Sequence, residues 1–124
     1  MEHFSSNGIE IAYIDIGEGE PILLIHGFAS NHAVNWQATN WLGTLTGAGR
    51  RVIAMDVRGH GQSTKLYDPA AYSPWIMAED AANLLDHLKL GDRVERRGRF
   101  IEDLDRRLLE ERARDADPLA LAAR

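Results

Sequence analysis

At 124 residues, with 44% hydrophobic and 27% charged side chains, the chain has the composition of one soluble globular domain at most, not of a disordered segment. A formal charge of −5 gives no electrostatic ground for a nucleic-acid partner. No apolar run approaches the roughly 18 residues of a membrane span, "MEHFSSNG" lacks a signal-peptide pattern, and the absence of cysteine excludes disulfides and thiolate chemistry; a cytoplasmic location is the default expectation.

Asn7-Gly8 is the dipeptide of a tight hairpin turn, because both residues tolerate positive φ. It leads into "IEIAYIDI", Ile9 to Ile16, whose alternation predicts a half-exposed strand. Gly17, Gly19 and Pro21 break the chain before "ILLIH", Ile22 to His26. That continuous apolar run predicts a strand covered on both faces in a parallel sheet. "HGFASNHAVNW" reads as a loop. Trp36 to Leu45 reads as a helix with Trp41 and Leu45 on one face, ended by a left-handed cap at Gly47.

"RVIAMD", Arg51 to Asp56, is the next apolar strand, and "VRGHGQST" is a glycine-rich loop after it. Ser73-Pro74 is an N-cap followed by proline in the first turn. The stripe Met77, Ala81, Leu84 and Leu88 predicts a helix closed by Gly91. About four strands alternating with helices in this order predict an α/β fold with a mostly parallel sheet.

The character changes near Arg93. Residues 1–92 hold five Lys/Arg against eleven Asp/Glu, whereas residues 93–124 hold nine arginines and eight acids. Ile101, Leu104 and Leu108 recur at helical spacing. Glu102–Arg106, Asp103–Arg107 and Glu110–Arg114 are acid-before-base pairs four residues apart. The interleaved charges describe a solvated amphipathic helix, not a nucleic-acid surface. Two regions are expected: 1–94, and a charged helical tail over 95–124.

"LLIHGFAS" and "MDVRGHGQS" each follow an apolar strand, where open α/β sheets place their sites. With "YSPWIMAEDAANLLDHLKLGDRV" they resemble the N-terminal part of the α/β-hydrolase fold, in its small esterase, lactonase and perhydrolase-like branch, from about Phe4 to Val94. The resemblance implies an incomplete α/β-hydrolase sheet. It implies that the backbone N–H of Phe28 is one oxyanion-hole donor, with His26 and Gly27 shaping its loop. It further implies that Asp56, Arg58, Gly59, His60, Gly61 and Ser63 form a structural turn beside the site, holding that turn's own backbone. His60 is expected to hold its loop and not to act as a base. Ser30 and Ser63 have no base at hand. His32 and His87 read as surface histidines, and the histidine spacing suggests no metal; no cofactor is expected.

The same resemblance requires a Gly-x-Ser-x-Gly nucleophile elbow, then an acid and a histidine. The sequence contains no Gly-x-Ser-x-Gly and no histidine after His87. Aligned on "GDRV", the nucleophile position falls on Phe100, and the buried strand before it reads Glu95-Arg96-Arg97. Three charges in a row would defeat a strand buried on both faces. "ILLIH" then becomes an open apolar edge. A frameshift, an internal deletion or a wrong gene model each accounts for such a tail; its charge pairs favour the deletion.

Two functions are therefore expected. One is a truncated or rearranged serine hydrolase, acting on a small acyl substrate when complete and inactive as this chain alone, with no catalytic residue present. The other is a non-catalytic module that self-associates or pairs with another chain through Phe100, Ile101, Leu104 and Leu108.

Overall fold

A computed structural model of the chain describes Met1–Gly91. The chain divides into two units, Met1–His87 and Leu88–Arg124. The helical tail expected over 95–124, with Phe100, Ile101, Leu104 and Leu108, the Glu95-Arg96-Arg97 stretch and the boundary after Val94 lie outside the described residues.

Four strands form one sheet in the order β1-β2-β4-β3: β1 (Glu2–Ser6), β2 (Ile9–Ile16), β3 (Glu20–Ile25) and β4 (Arg50–Met55). Asn7 and Gly8 join β1 to β2 with φ of 50° and 83°, the positive-φ pair that a two-residue hairpin needs. Such a turn forces an antiparallel pairing, and β2 also runs antiparallel to β4. The expectation of a mostly parallel sheet is thus corrected: among the described strands only β3 and β4 are parallel, in register from Glu20↔Arg50 to Ile25↔Met55.

Both faces of the sheet carry apolar side chains, as the two-residue period of β4 requires. Val52 and Ala54 point to one face, where they pack with Leu42 and, around them, Ile14, Ile22, Leu24, Trp36 and Leu45. The short helix α1 (Trp41–Gly47) covers this face. Phe4, Ile11, Tyr13, Ile53 and Met55 are buried on alternate positions. Ser6 and Phe4 of β1 meet the helix α2 (Pro74–His87) through Asp80 and His87, whose ring stacks on Phe4 at 5.2 Å.

Several local readings shift. The helix expected over Trp36–Leu45 is broken. A π-type turn spans Ala33–Gln37, and Asn40 in the left-handed region (φ 61°) then starts α1. Leu42 lies in the core with Leu45 packed against it, and Trp41 is half exposed. Gly47 is still helical; the left-handed residue is Gly49, φ 79°. Ser73 does begin α2, accepting the Ile76 N–H at Oγ (3.3 Å) and the Met77 N–H at its carbonyl (3.1 Å). That helix ends at His87, before Gly91, and Lys89 takes positive φ beyond it. β3 is only half buried, and Ile25 is 49% exposed, where burial on both faces was expected. Among the described residues β3 is an edge strand, bonded to β4 alone.

Candidate functional site

Because β3 and β4 are parallel and in register, their carboxyl ends lie side by side and release two neighbouring loops. The first runs from His26 to His32 and the second from Asp56 to Ser63. Their sequences are short on apolar side chains but rich in groups that can hydrogen-bond backbone, so the loops hold each other.

His26 is buried. Its Nε2 accepts the Val57 N–H at 3.0 Å, and its Nδ1 donates to the Gly27 carbonyl at 2.8 Å. The three amides that follow differ. Gly27 donates to Asn35 Oδ1 at 3.0 Å, and Ala29 donates to His60 Nε2 at 3.2 Å. The Phe28 N–H between them has no partner among the described residues. The Phe28 side chain is 96% exposed, with its ring edge-on to His60 at 6.3 Å. Ala29 has φ of 55°, a strained value for a residue with a Cβ, which turns the chain immediately after that amide.

Asp56 is the node between the loops. Its Oδ1 accepts from both the backbone N–H and the ring Nδ1 of His32, each at 2.8 Å, and its Oδ2 accepts the Gln62 N–H at 2.9 Å. Complete burial by itself would push this carboxyl up. The amides of His32 and Gln62 and the His32 ring outweigh that, and hold it below the usual carboxylate value. His32 is therefore not the surface histidine its sequence suggests: its side chain is only 12% exposed and is committed to Asp56.

The rest of the second loop is tied on three sides. Ser63 Oγ donates to the Asp56 carbonyl at 2.6 Å and accepts the Ala12 N–H at 2.9 Å, which joins the loop to β2. His60 Nδ1 donates to the Arg58 carbonyl at 3.0 Å. Arg58 turns away from its own loop. Its guanidinium donates to both oxygens of Asp80 and to the Ala71 carbonyl, and the Asp80 hydrogen bonds raise its already high pKa. Gly59 and Gly61 both have positive φ. A Cβ on Gly61 would land on the Asp56 carboxylate, and one on Gly59 would land on the Tyr72 ring. Any other residue at either point would take a strained φ and push one of these side chains aside.

Asp56, His60 and Ser63 each bond within their own loop, and each also reaches a neighbouring segment. Asn35, Asp80, Ser6, Asn83 and Tyr72 were missed by sequence reasoning. The Asn35 amide lies nine residues after His26 in a stretch that reads only as loop; Asp80 sits inside an apolar stripe, which is a signal in hindsight. Neither serine near the site is placed as a nucleophile: Ser63 Oγ is engaged, and Ser30 Oγ is buried without a partner among the described residues. Among the described residues no group of three His, Asp or Glu side chains is placed to hold a metal ion, and no helix is long and apolar enough to cross a membrane.

Comparison with known proteins bears on the same segment. A family model described as "alpha/beta hydrolase fold" matches residues 20–94. A non-heme chloroperoxidase, CPO-A1, of Kitasatospora aureofaciens is 42% identical over 86 residues, covering 69% of this chain and 30% of that protein. An epoxide hydrolase of Caballeronia sordidicola is 33% identical over 90 residues, covering 73% of this chain and 26% of that protein. Among solved structures, an esterase from Exiguobacterium antarcticum superposes with a TM-score of 0.60 at 31% identity, over 68% of this chain and 30% of the esterase. The chain spans less than a third of the length of these relatives.

Proposed function

The chain belongs to the α/β-hydrolase fold family, and from that premise we propose that it carries the oxyanion-stabilising part of a serine hydrolase acting on small esters or lactones, and that alone it is inactive. The observation behind this reading is the Phe28 amide, left without a partner among the described residues while Gly27 and Ala29 on either side are engaged. An unengaged N–H at the carboxyl end of a parallel strand is the donor that a developing carbonyl oxyanion needs. Losing one such donor costs a hydrolase about 10²–10³ in kcat.

In the complete reaction a serine oxygen bonds to the acyl carbon and passes its proton to a base. The carbonyl π pair moves onto oxygen, where the Phe28 N–H steadies it. The carbon–oxygen bond to the leaving alcohol then breaks, and the alcohol takes up the proton. Water repeats the sequence on the acyl-serine to release the acid and restore the hydroxyl. The sequence has no Gly-x-Ser-x-Gly to supply the nucleophile and no histidine beyond His87 to supply the base.

Incubating the 124-residue chain with a nitrophenyl ester and with a fluorophosphonate probe tests the reading. Neither turnover nor serine labelling is expected; serine-specific labelling accompanied by turnover would overturn it.

A second reading, a non-catalytic module that associates with a copy of itself or with another chain, draws on one observation: the edge of β3 that no described strand covers. A monodisperse dimer that melts cooperatively would favour it over the inactive-hydrolase reading.

A further inference from the structure

We propose that His26 and His60 are reciprocal positioning residues for the Phe28 amide, each ring accepting at Nε2 a backbone N–H from the other's loop. The clasp therefore holds only while both Nε2 atoms are unprotonated. The role given to Phe28 rests on the reading above; the clasp itself rests on geometry.

The geometry is reciprocal. His26, on the first loop, accepts the Val57 N–H of the second at 3.0 Å; His60, on the second, accepts the Ala29 N–H of the first at 3.2 Å. Each ring has its other nitrogen against a carbonyl, Gly27 for His26 and Arg58 for His60. A carbonyl only accepts, so Nδ1 carries the proton in both rings and Nε2 is left as acceptor. The two rings lie 5.3 Å apart, centroid to centroid.

Adding a proton to either Nε2 sets N–H against N–H and removes one bond across the loops. Charging both rings adds repulsion between them in the same direction. Loss of the Ala29 bond frees the residue immediately after Phe28, and Ala29 is the strained left-handed position on which that turn depends. The two loops also carry His32 on the first and Asp56 and Arg58 on the second. Asp56 is bound to His32 and to the Gln62 amide, and the Arg58 guanidinium is bound to Asp80, so neither charge is paired with the two rings. His32 donates to Asp56 at Nδ1, a bond that a second proton on the ring leaves in place, whereas the Val57 and Ala29 contacts each need a bare Nε2.

The test is NMR on the full ¹⁵N-labelled chain, reading the imidazole nitrogens and the amides of Val57 and Ala29 between pH 8 and pH 5. Expected are Nδ1–H tautomers for both rings at the upper pH. The Ala29 amide should move with the His60 titration and lose about fivefold to tenfold of its exchange protection, the share one hydrogen bond supplies. His60→Gln keeps an acceptor that does not titrate, so the Ala29 response to pH should vanish while Val57 still follows His26. An Nε2–H tautomer in either wild-type ring overturns the proposal without any variant. So does an Ala29 amide that stays flat through the His60 titration, or a response that persists in His60→Gln. These results leave the Phe28 reading standing, whereas serine labelling with turnover removes that reading and leaves the clasp.

Discussion

Arg58 and Asp80, 22 residues apart in sequence, form a buried two-pronged ion pair, Nε and Nη2 of the arginine lying 2.6 and 2.8 Å from the two carboxylate oxygens. Ser6 adds a third donor, its hydroxyl 2.7 Å from Asp80 Oδ1, and itself accepts from Asn83. One carboxylate therefore joins β1, the loop after β4 and α2. Desolvating two charges is costly, and the pair is tolerated because nearly every lone pair is met.

Removing one partner should be worse than removing both. Asp80→Ala leaves a guanidinium in a site where Arg58 is only 5% exposed, and is expected to cost about 3–5 kcal/mol. Arg58→Met combined with Asp80→Leu should cost clearly less than Asp80→Ala alone. Urea unfolding followed by circular dichroism provides the comparison. A cycle in which the double variant is the least stable would show that the pair, and not its desolvation, dominates.

Acid sensitivity should trace to Asp56. Its folded-state pKa lies below the ordinary value of 3.8, so between those values the unfolded chain binds more protons than the folded one. The contribution of this carboxylate is complete above the unfolded value and is lost as pH falls through the folded value. Asp56→Asn should lower stability at neutral pH by about 1–3 kcal/mol, the cost of weakening buried charge-assisted bonds. It should also flatten the acid limb of the stability curve. An unchanged slope below pH 4 in the variant would assign that limb to other carboxylates.

Two glycine substitutions should differ in sign. At Gly61, φ is +50° and a Cβ would meet the Asp56 carboxylate, so Gly61→Ala is expected to destabilise by about 1–3 kcal/mol. Gly47 lies within α1, and a Cβ there meets nothing within 4 Å. Gly47→Ala should stabilise by about 0.5–1 kcal/mol through helix propensity. Thermal melts of both variants decide it, and a stabilised Gly61→Ala would mean the loop adopts another turn.

Local chemistry made part of this fold readable. Asn7-Gly8 signals its hairpin because the required φ values exclude most other residues, and β4 signals itself as a bounded apolar run. The second loop was readable for the same reason, since Gly59 and Gly61 take positive φ where a Cβ would meet Tyr72 and Asp56. What stayed hidden depends on residues distant in sequence. Asp80 reads as one acid in a helix until Arg58 is placed beside it, and His32 reads as exposed until Asp56 reaches it. The break at Asn40 was hidden too, because asparagine tolerates the left-handed region it adopts there (φ 61°) without requiring it. Strand direction was misjudged because an alternating strand does not reveal whether its neighbours run parallel.

The edge of β3 carries the last prediction. Its backbone bonds to β4 on one side, no described strand pairs on the other, and its sequence is apolar from Ile22 to Ile25. Such an edge is a template for another strand, and a lysine on it blunts that pairing because the charge must be buried for a second chain to dock. Ile25 suits the change: it is 49% exposed at the strand's end, so a longer polar side chain reaches solvent without disturbing the Val52–Ala54 core. Ile25→Lys should therefore reduce concentration-dependent self-association while altering stability by about 0.5 kcal/mol or less, the range of exposed substitutions. Sedimentation velocity across a concentration series measures the first and urea unfolding the second. Equal association in the two proteins would move the sticky surface away from β3, to exposed aromatic residues such as Trp75 and Tyr67.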